Sequence, residues 1–269
     1  MKIFSDKNKL IKILHNEKNL GFVPTMGGIH LGHESLIKRS KAECNKTIVS
    51  IFINKPQFNK KKDFQKYPRL LRGDILTLKK LRVDYLFTPS HKQIYPKGIN
   101  KKIKIDKLEK KLCGKLRPGH FRAVVDVLDR FIEIIKPRNI YLGEKDMQQL
   151  RIVKNFLINK KIETKVISCK TIREKNGMAY SSRNFLLSKK QKKIGSKVYK
   201  IILNQKKKII KNKNILKIIK KNILLLGVNK IDYLELLNKN NLTKKKIKKN
   251  NFKIFIAYYL GKIRLIDNI

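Results

Sequence analysis

Short apolar runs alternating with stretches of helical spacing constrain this chain more than any other feature. Residues 20–24, 47–53, 84–88, 138–142 and 164–169 are rich in Val, Ile, Phe or Tyr, and each is nearly continuous in apolar character. A strand reads this way when both of its faces are covered, as in a parallel sheet flanked by helices. Helical periodicity occupies the intervals, at residues 33–44, 69–81, 121–135 and 146–159. Five strands with intervening helices predict a doubly wound, parallel-sheet α/β domain of the Rossmann-like type over residues 1–171. Ligands of such sheets bind beyond the carboxyl ends of the strands, where the connections diverge. The residues that follow each run are therefore where chemistry is expected.

Beyond residue 171 the character changes. Residues 172–269 hold 27 basic and 4 acidic side chains, and no acidic residue occurs between Asn184 and Asp232. Ser188 and Gln191 have the spacing of a capping box that opens a helix. From there to about Leu226, Lys alternates with Ile and Leu at helical spacing, and residues 230–237, 252–260 and 262–267 read as a small strand group. Residues 172–269 are thus expected to form a smaller C-terminal α+β lid domain. Its basic helices are expected to pack one apolar face on those strands, rather than to lie on a membrane or a nucleic acid.

A formal net charge of +48 invites a nucleic-acid reading, but the choice of residues counts against it. Of 67 basic residues, 12 are Arg and 55 are Lys, with Asn and Ile abundant beside them. These are the residues an AT-rich genome supplies by default. Nucleic-acid sites favour Arg forks and stacked aromatics, and the chain has no Trp. The expectation is a solvated Lys surface with no specific nucleic-acid partner, which adheres to polyanions only at low salt. No apolar run approaches the roughly 18 residues of a membrane span, and the N-terminal stretch lacks the features of a secretory signal. Cys44, Cys113 and Cys169 are widely spaced, with no C-x-x-C. That suggests a reducing compartment, read as the cytoplasm, and no structural zinc.

The most informative segment follows the first run. After Pro24 come Thr25, Met26, Gly27, Gly28, Ile29, His30, Leu31, Gly32 and His33. His30 and His33, three apart at a helix start, lie on one side of its N-terminus. Unpaired backbone N–H groups and the helix dipole favour phosphate there. Gly27, Gly28 and Gly32 allow close approach to the backbone, and an imidazolium can offset charge on phosphate oxygens. Two surface histidines around a turn, or a chance metal pair, are the plainer alternatives.

Three further strand ends carry candidate groups. Asn54 and Gln57 offer uncharged hydrogen-bonding side chains suited to a small polar acid, although turn chemistry around Pro56 explains them equally. Gly143, Glu144, Lys145 and Asp146 precede Gln149; Lys145 suits a phosphate, while Asp146 and Gln149 also fit a capping box. Between Ile172 and Asn184, two hydroxyls, Ser181 and Ser182, stand beside Arg183 as a compact triphosphate grip, or form a solvated interdomain loop. The segment from Arg117 to Arg122, with Gly119 and His120, begins a helix and offers a wall or clamp to the same crevice. Walker A, G-x-G-x-x-G and G-x-S-x-G patterns are all missing, which excludes an ordinary P-loop, a dinucleotide binder of the usual type and a Ser hydrolase elbow.

In order along nearly the whole chain, these segments resemble the pantothenate synthetase (pantoate–β-alanine ligase) family. The resemblance rests on Pro24-Thr-Met-Gly27 with His30 and His33, Ser50-Ile-Phe-Ile-Asn54 with Gln57-Phe58, and Tyr67-Pro-Arg69. It continues through Gly119-His-Phe121, Gly143-Glu-Lys-Asp146 with Gln148-Gln149, Ser181-Ser-Arg-Asn184, and Arg264-Leu-Ile-Asp-Asn-Ile269. It implies a nucleotidyltransferase domain that converts pantoate and Mg-ATP to pantoyl adenylate, followed by attack of β-alanine to give pantothenate and AMP.

Carried to matching positions, the resemblance implies ATP binding by Met26, Gly27, Gly28, Ile29, His30, Leu31, Gly32 and His33. Gly143, Glu144, Lys145, Asp146, Ile172, Tyr180, Ser181, Ser182 and Arg183 are implied to line the nucleotide too. His33, His30 and Lys145 take the catalytic roles; Gln57, Gln149 and Asn54 take the small acid. Magnesium is expected on ATP oxygens and water, with no protein ligand assigned and Asp74 a bare candidate. A homodimer is implied as well. The chain departs from the family pattern at Tyr180 (usually Met), Ala123 (Gly), Asp126 (Thr) and Lys55 (Pro). A different nucleotidyltransferase of the same superfamily is the alternative enzyme reading.

Overall fold

The computed structural model of the chain describes every residue except Lys213, with the side chains of Ile210 and Lys211 also left undescribed. Two compact units result, one formed by Met1–Gly143 with Gln148–Lys170, the other by Glu144–Met147 with Thr171–Ile269.

The first unit is built on a six-stranded sheet. Its strands are β1 (Lys2–Phe4), β2 (Leu20–Thr25), β3 (Lys46–Ile51), β4 (Tyr85–Phe87), β5 (Asn139–Gly143) and β6 (Lys165–Cys169), in the order β1-β4-β3-β2-β5-β6. Every pairing is parallel, as the covered, unalternating runs predict. The intervening helices are α1 (Lys7–Leu14), α2 (Leu31–Glu43), α3 (Lys61–Gln65), α4 (Leu71–Lys80), α5 (His91–Ile94), α6 (Leu112–Leu116), α7 (His120–Ile135) and α8 (Met147–Asn159). Phe22, Val23, Ile48, Val49, Leu86, Phe87, Ile140 and Tyr141 are wholly buried. Each such side chain contributes about 1.5–3 kcal/mol on leaving water, so the central strands form the rigid frame. Phe131 of α7 closes one face by meeting Phe52 and Phe87 edge-on at 5.8 and 5.9 Å.

One strand was not expected. β1 has three residues, and its central Ile3 is 46% exposed; an edge strand this short and this wet carries neither alternation nor an apolar run. The connections place the site. The chain runs outward through β2, β3 and β4, then returns to the other side of β2 as β5. Strand order therefore reverses between β2 and β5, and that crevice is where such sheets bind ligands.

The second unit holds α9 (Lys189–Lys211), α10 (Ile215–Leu225) and an antiparallel sheet of β7 (Lys230–Asn238), β8 (Phe252–Leu260) and β9 (Ile263–Asn268), in the order β7-β8-β9. Both halves of the Ser188–Gln191 capping box form. Ile202, Ile209, Ile219 and Ile223 from the helices join Ile254 and Ile256 from β8 in one core, all at 0% exposure. The alternation of Lys with Ile is thus the signature of helices lying on a small sheet. The helical stretch breaks in two where Asn212 Oδ1 accepts the Asn214 N–H at 2.9 Å, a side-chain turn that competes with continued helix. Glu144–Met147 groups with this unit because Asn268 Nδ2 donates to the carbonyls of Glu144 and Lys145, at 2.7 and 2.8 Å.

Candidate active site

The turn after β2 is held from three directions. Thr25 Oγ1 accepts the Gly27 N–H at 3.1 Å and donates to Ser50 O on β3 at 2.8 Å. Gly27 and Gly28 have φ of +79° and +63°, a left-handed conformation that a Cβ would strain. Asp74 of α4, 3% exposed, then grips the turn: its two oxygens accept the N–H groups of Gly28 and Ile29 at 2.9 and 2.7 Å. A carboxylate taking two backbone donors is a charge-assisted contact of the strong kind. It ties a turn to a side chain 45 residues away in sequence.

His30 is the N-cap of α2. Its Nδ1 accepts from the N–H groups of Gly32 and His33, at 3.1 and 3.4 Å, so Nδ1 carries no proton and any ring proton sits on Nε2. The ring of His33 stacks on that of His30, centroids 4.0 Å apart and planes 20° from parallel. The turn presents the Nε2 side of His30 beside His33, at the dipole-positive end of a 13-residue helix, a setting for anionic oxygens.

The turn after β3 comes to the same place. Gln57 Nε2 donates to Met26 Sδ at 3.0 Å, which joins the two strand ends, and Gln57 Oε1 accepts from Asn54 Nδ2 at 3.1 Å. Asn54 is only 1% exposed. Its Nδ2 also donates to Ala123 O at 3.0 Å and its Oδ1 accepts from the Tyr95 hydroxyl at 2.7 Å, so its amide is occupied within the protein. The Gln57 carbonyl is held too, by Arg117 Nη2 at 3.0 Å and His120 Nδ1 at 2.8 Å. His120 Nε2 faces Arg117 Nη1 at 3.0 Å; because guanidinium only donates, His120 is the neutral Nδ1–H tautomer.

Gly143 ends β5, next to β2 in the sheet. Gln149 lies on α8; its neighbour Gln148 is buried and commits its amide to Cys113 N, Leu108 O and Lys111 O. In the second unit, Lys145 Nζ lies 3.4 Å from Asp146 Oδ2. Ile172 and Tyr180 face each other across a hairpin, Tyr180 N donating to Ile172 O at 3.1 Å. Ser181 Oγ caps the Arg183 N–H at 3.3 Å, Ser182 is buried, and Arg183 Nη1 donates to Arg264 O at 2.8 Å. The segment is an ordered hairpin and turn, not the solvated loop that its composition also allowed.

Comparison with known proteins decides the family. The family model for pantoate-beta-alanine ligase matches residues 2–269. The chain belongs to the pantoate–β-alanine ligase family. It is 39% identical to the pantothenate synthetase of Thermosipho africanus over 96% of this chain and 94% of that one, and 43% identical to that of Ruthia magnifica over 97% and 94%. A crystal structure of pantothenate synthetase from Thermus thermophilus superposes with a TM-score of 0.93 at 30% identity, covering 100% of this chain and 99% of the other. A Francisella tularensis pantoate-beta-alanine ligase, complexed with beta-gamma ATP and β-alanine, superposes at 0.86 with 38% identity, covering 100% and 97%. The protein is thus an enzyme of this ligase family, and no helix among its described residues is long and apolar enough to cross a membrane.

Asp74 is the functional candidate whose part the sequence concealed, since nothing local distinguishes it from a first-turn helix acid. As for magnesium, no group of three or more His, Cys, Asp or Glu among the described residues converges as a cage. Asp74, the carboxylate against the turn, already accepts two N–H groups. A single carboxylate here is too few for a protein cage and fits only an ion that brings most of its oxygen ligands with it as phosphate and water.

Proposed function

We propose that this enzyme joins pantoate to β-alanine using ATP, through pantoyl adenylate. A carboxylate oxygen of pantoate attacks the α-phosphorus, the bond to the β-phosphate oxygen breaks, and pyrophosphate leaves. The β-alanine nitrogen then attacks the acyl carbon, the bond to AMP breaks, and the amide forms with loss of a proton from nitrogen. Attack by one anion on another needs donors that offset charge and hold an in-line geometry. The observation that supports the reading is the hydrogen bond from Gln57 Nε2 to Met26 Sδ, which links the turn read as phosphate-binding to the turn read as acid-binding in the β2/β3 corner.

In this reading Met26, Gly27, Gly28, Ile29, His30, Leu31, Gly32 and His33 take the ATP phosphates, with His33 and His30 stabilising charge as the pyrophosphate departs. Lys145 serves as the phosphate-binding lysine. Gly143, Glu144, Asp146, Ile172, Tyr180, Ser181, Ser182 and Arg183 serve the nucleotide. Gln57 and Gln149 contact pantoate, and Asn54 backs Gln57. Magnesium would be held mainly by ATP oxygens and water and would supply charge neutralisation at the phosphates; Asp74 is the carboxylate against the turn. The reading extends to a cytoplasmic homodimer, which a solution mass of twice 31.6 kDa would support. The test is product formation: AMP and pantothenate should appear together only when both pantoate and β-alanine are present, and AMP release independent of pantoate sinks the assignment.

A further inference from the structure

We propose that Tyr95 is a positioning residue for Gln57, acting through Asn54 and itself held by the Asp126–Arg130 pair of α7. The inference rests on the ligase reading above and concerns how the acid is recognised. Gln57 can help a carboxylate only by presenting N–H, and an amide is free to present either end. Here the choice is made for it. Oε1 is committed to Asn54 Nδ2, and of the two Nε2 protons one goes to the Met26 thioether, a weak acceptor. The other is left for a ligand.

Asn54 imposes that choice because its own orientation is imposed. Its Nδ2 faces two acceptors, Gln57 Oε1 and Ala123 O, and its Oδ1 receives the Tyr95 hydroxyl at 2.7 Å. Tyr95 is 4% exposed, and burial above all keeps its hydroxyl protonated far beyond ordinary alkaline pH, with the Asp126 charge adding to the effect. The ring is fixed in turn. The Arg130 guanidinium covers it at 4.6 Å, and its two Nη groups donate to the carbonyls of Ile94 and Gly98, at 2.9 and 3.0 Å, on either side of Tyr95 in the chain. Asp126, 4% exposed, completes the strut by taking Arg130 Nε at 2.7 Å and the Asn100 N–H at 2.9 Å. A Thr at 126 would offer one uncharged oxygen where Asp126 uses two anionic ones, one for each contact.

The test uses pantoate-dependent exchange of pyrophosphate into ATP by the full-length enzyme. Tyr95→Phe leaves Asn54 Oδ1 without its donor, and loss of one such hydrogen bond should raise the pantoate KM about fivefold to tenfold while the ATP KM stays put. In a Gln57→Ala background the same change should add nothing, since Tyr95 acts through Gln57. Arg130→Lys, which keeps a cation and loses the fork, should shift the pantoate KM in the same direction and carries the test if Tyr95→Phe fails to fold. An unchanged pantoate KM, a parallel rise in both KM values, or an undiminished effect without Gln57 overturns the positioning role and leaves the ligase reading intact. Wild-type enzyme with no pantoate-dependent exchange removes both.

Discussion

Replacing Asp74 by Asn puts an NH2 group where a second oxygen now accepts a backbone N–H. The two contacts are 2.9 Å to Gly28 and 2.7 Å to Ile29, and the carboxylate is 3% exposed. Asn can keep one of them; the other becomes donor against donor. A hydrogen bond to a charged acceptor is worth about 1.5–3 kcal/mol, and a buried donor left unmet costs about 1–3 kcal/mol more. With partial relaxation the change should destabilise by about 3 kcal/mol, or roughly 6–12 °C in unfolding temperature for a chain of this size. The same displacement moves the N–H groups that lead into His30, so kcat/KM for ATP should fall about tenfold to a hundredfold. Thermal unfolding and exchange kinetics read the two effects. Asp84→Asn is the control, because Asp84 also accepts a backbone N–H (Thr47, at 2.9 Å) but at the amino end of β3; it should cost stability and spare kcat/KM for ATP. If Asp74→Asn matches Asp84→Asn in kcat/KM for ATP, or unfolds like wild type, the clamp reasoning is refuted.

Gly21→Ala should destabilise by about 1–3 kcal/mol through overpacking, since its Cβ would overlap Ser40 Oγ; chemical denaturation checks this, and Ser40→Ala should relieve part of the loss. Lys206 has its pKa lowered by burial first, then by Lys253, Arg173 and Lys239. Its folded-state pKa lies below its unfolded one, so the unfolded chain binds more protons and stability rises as pH climbs from the folded value toward 10.5. Lys206→Met should therefore stabilise at neutral pH, by up to about 1 kcal/mol after solvent screening, and the gain should shrink in unfolding curves taken above pH 10.

The parallel sheet was legible because burial on both faces leaves continuous apolar runs, and β2, β3 and β5 lie within a residue or two of the runs that announced them. The small lobe was legible from Ser188 and from the spacing of Ile among Lys. What escaped was long-range polar organisation. Asp74 sits at an ordinary first-turn helix position, and only folding brings it to Gly28 and Ile29. Tyr95 and Arg130 read locally as a buried aromatic and a helix cation, and nothing in their spacing to Asn54 reports the contact. His30 was legible as a candidate site residue but not as the cap of α2.

Adenylation with β-alanine left out tests the central claim most directly. Enzyme, magnesium, ATP and labelled pyrophosphate should yield labelled ATP only when pantoate is added, with His33→Asn and Gln149→Ala each lowering the rate by tenfold or more, in keeping with the loss of about 1.4–3 kcal/mol of transition-state stabilisation. Exchange that ignores pantoate, or that both variants sustain at the wild-type rate, would contradict the account.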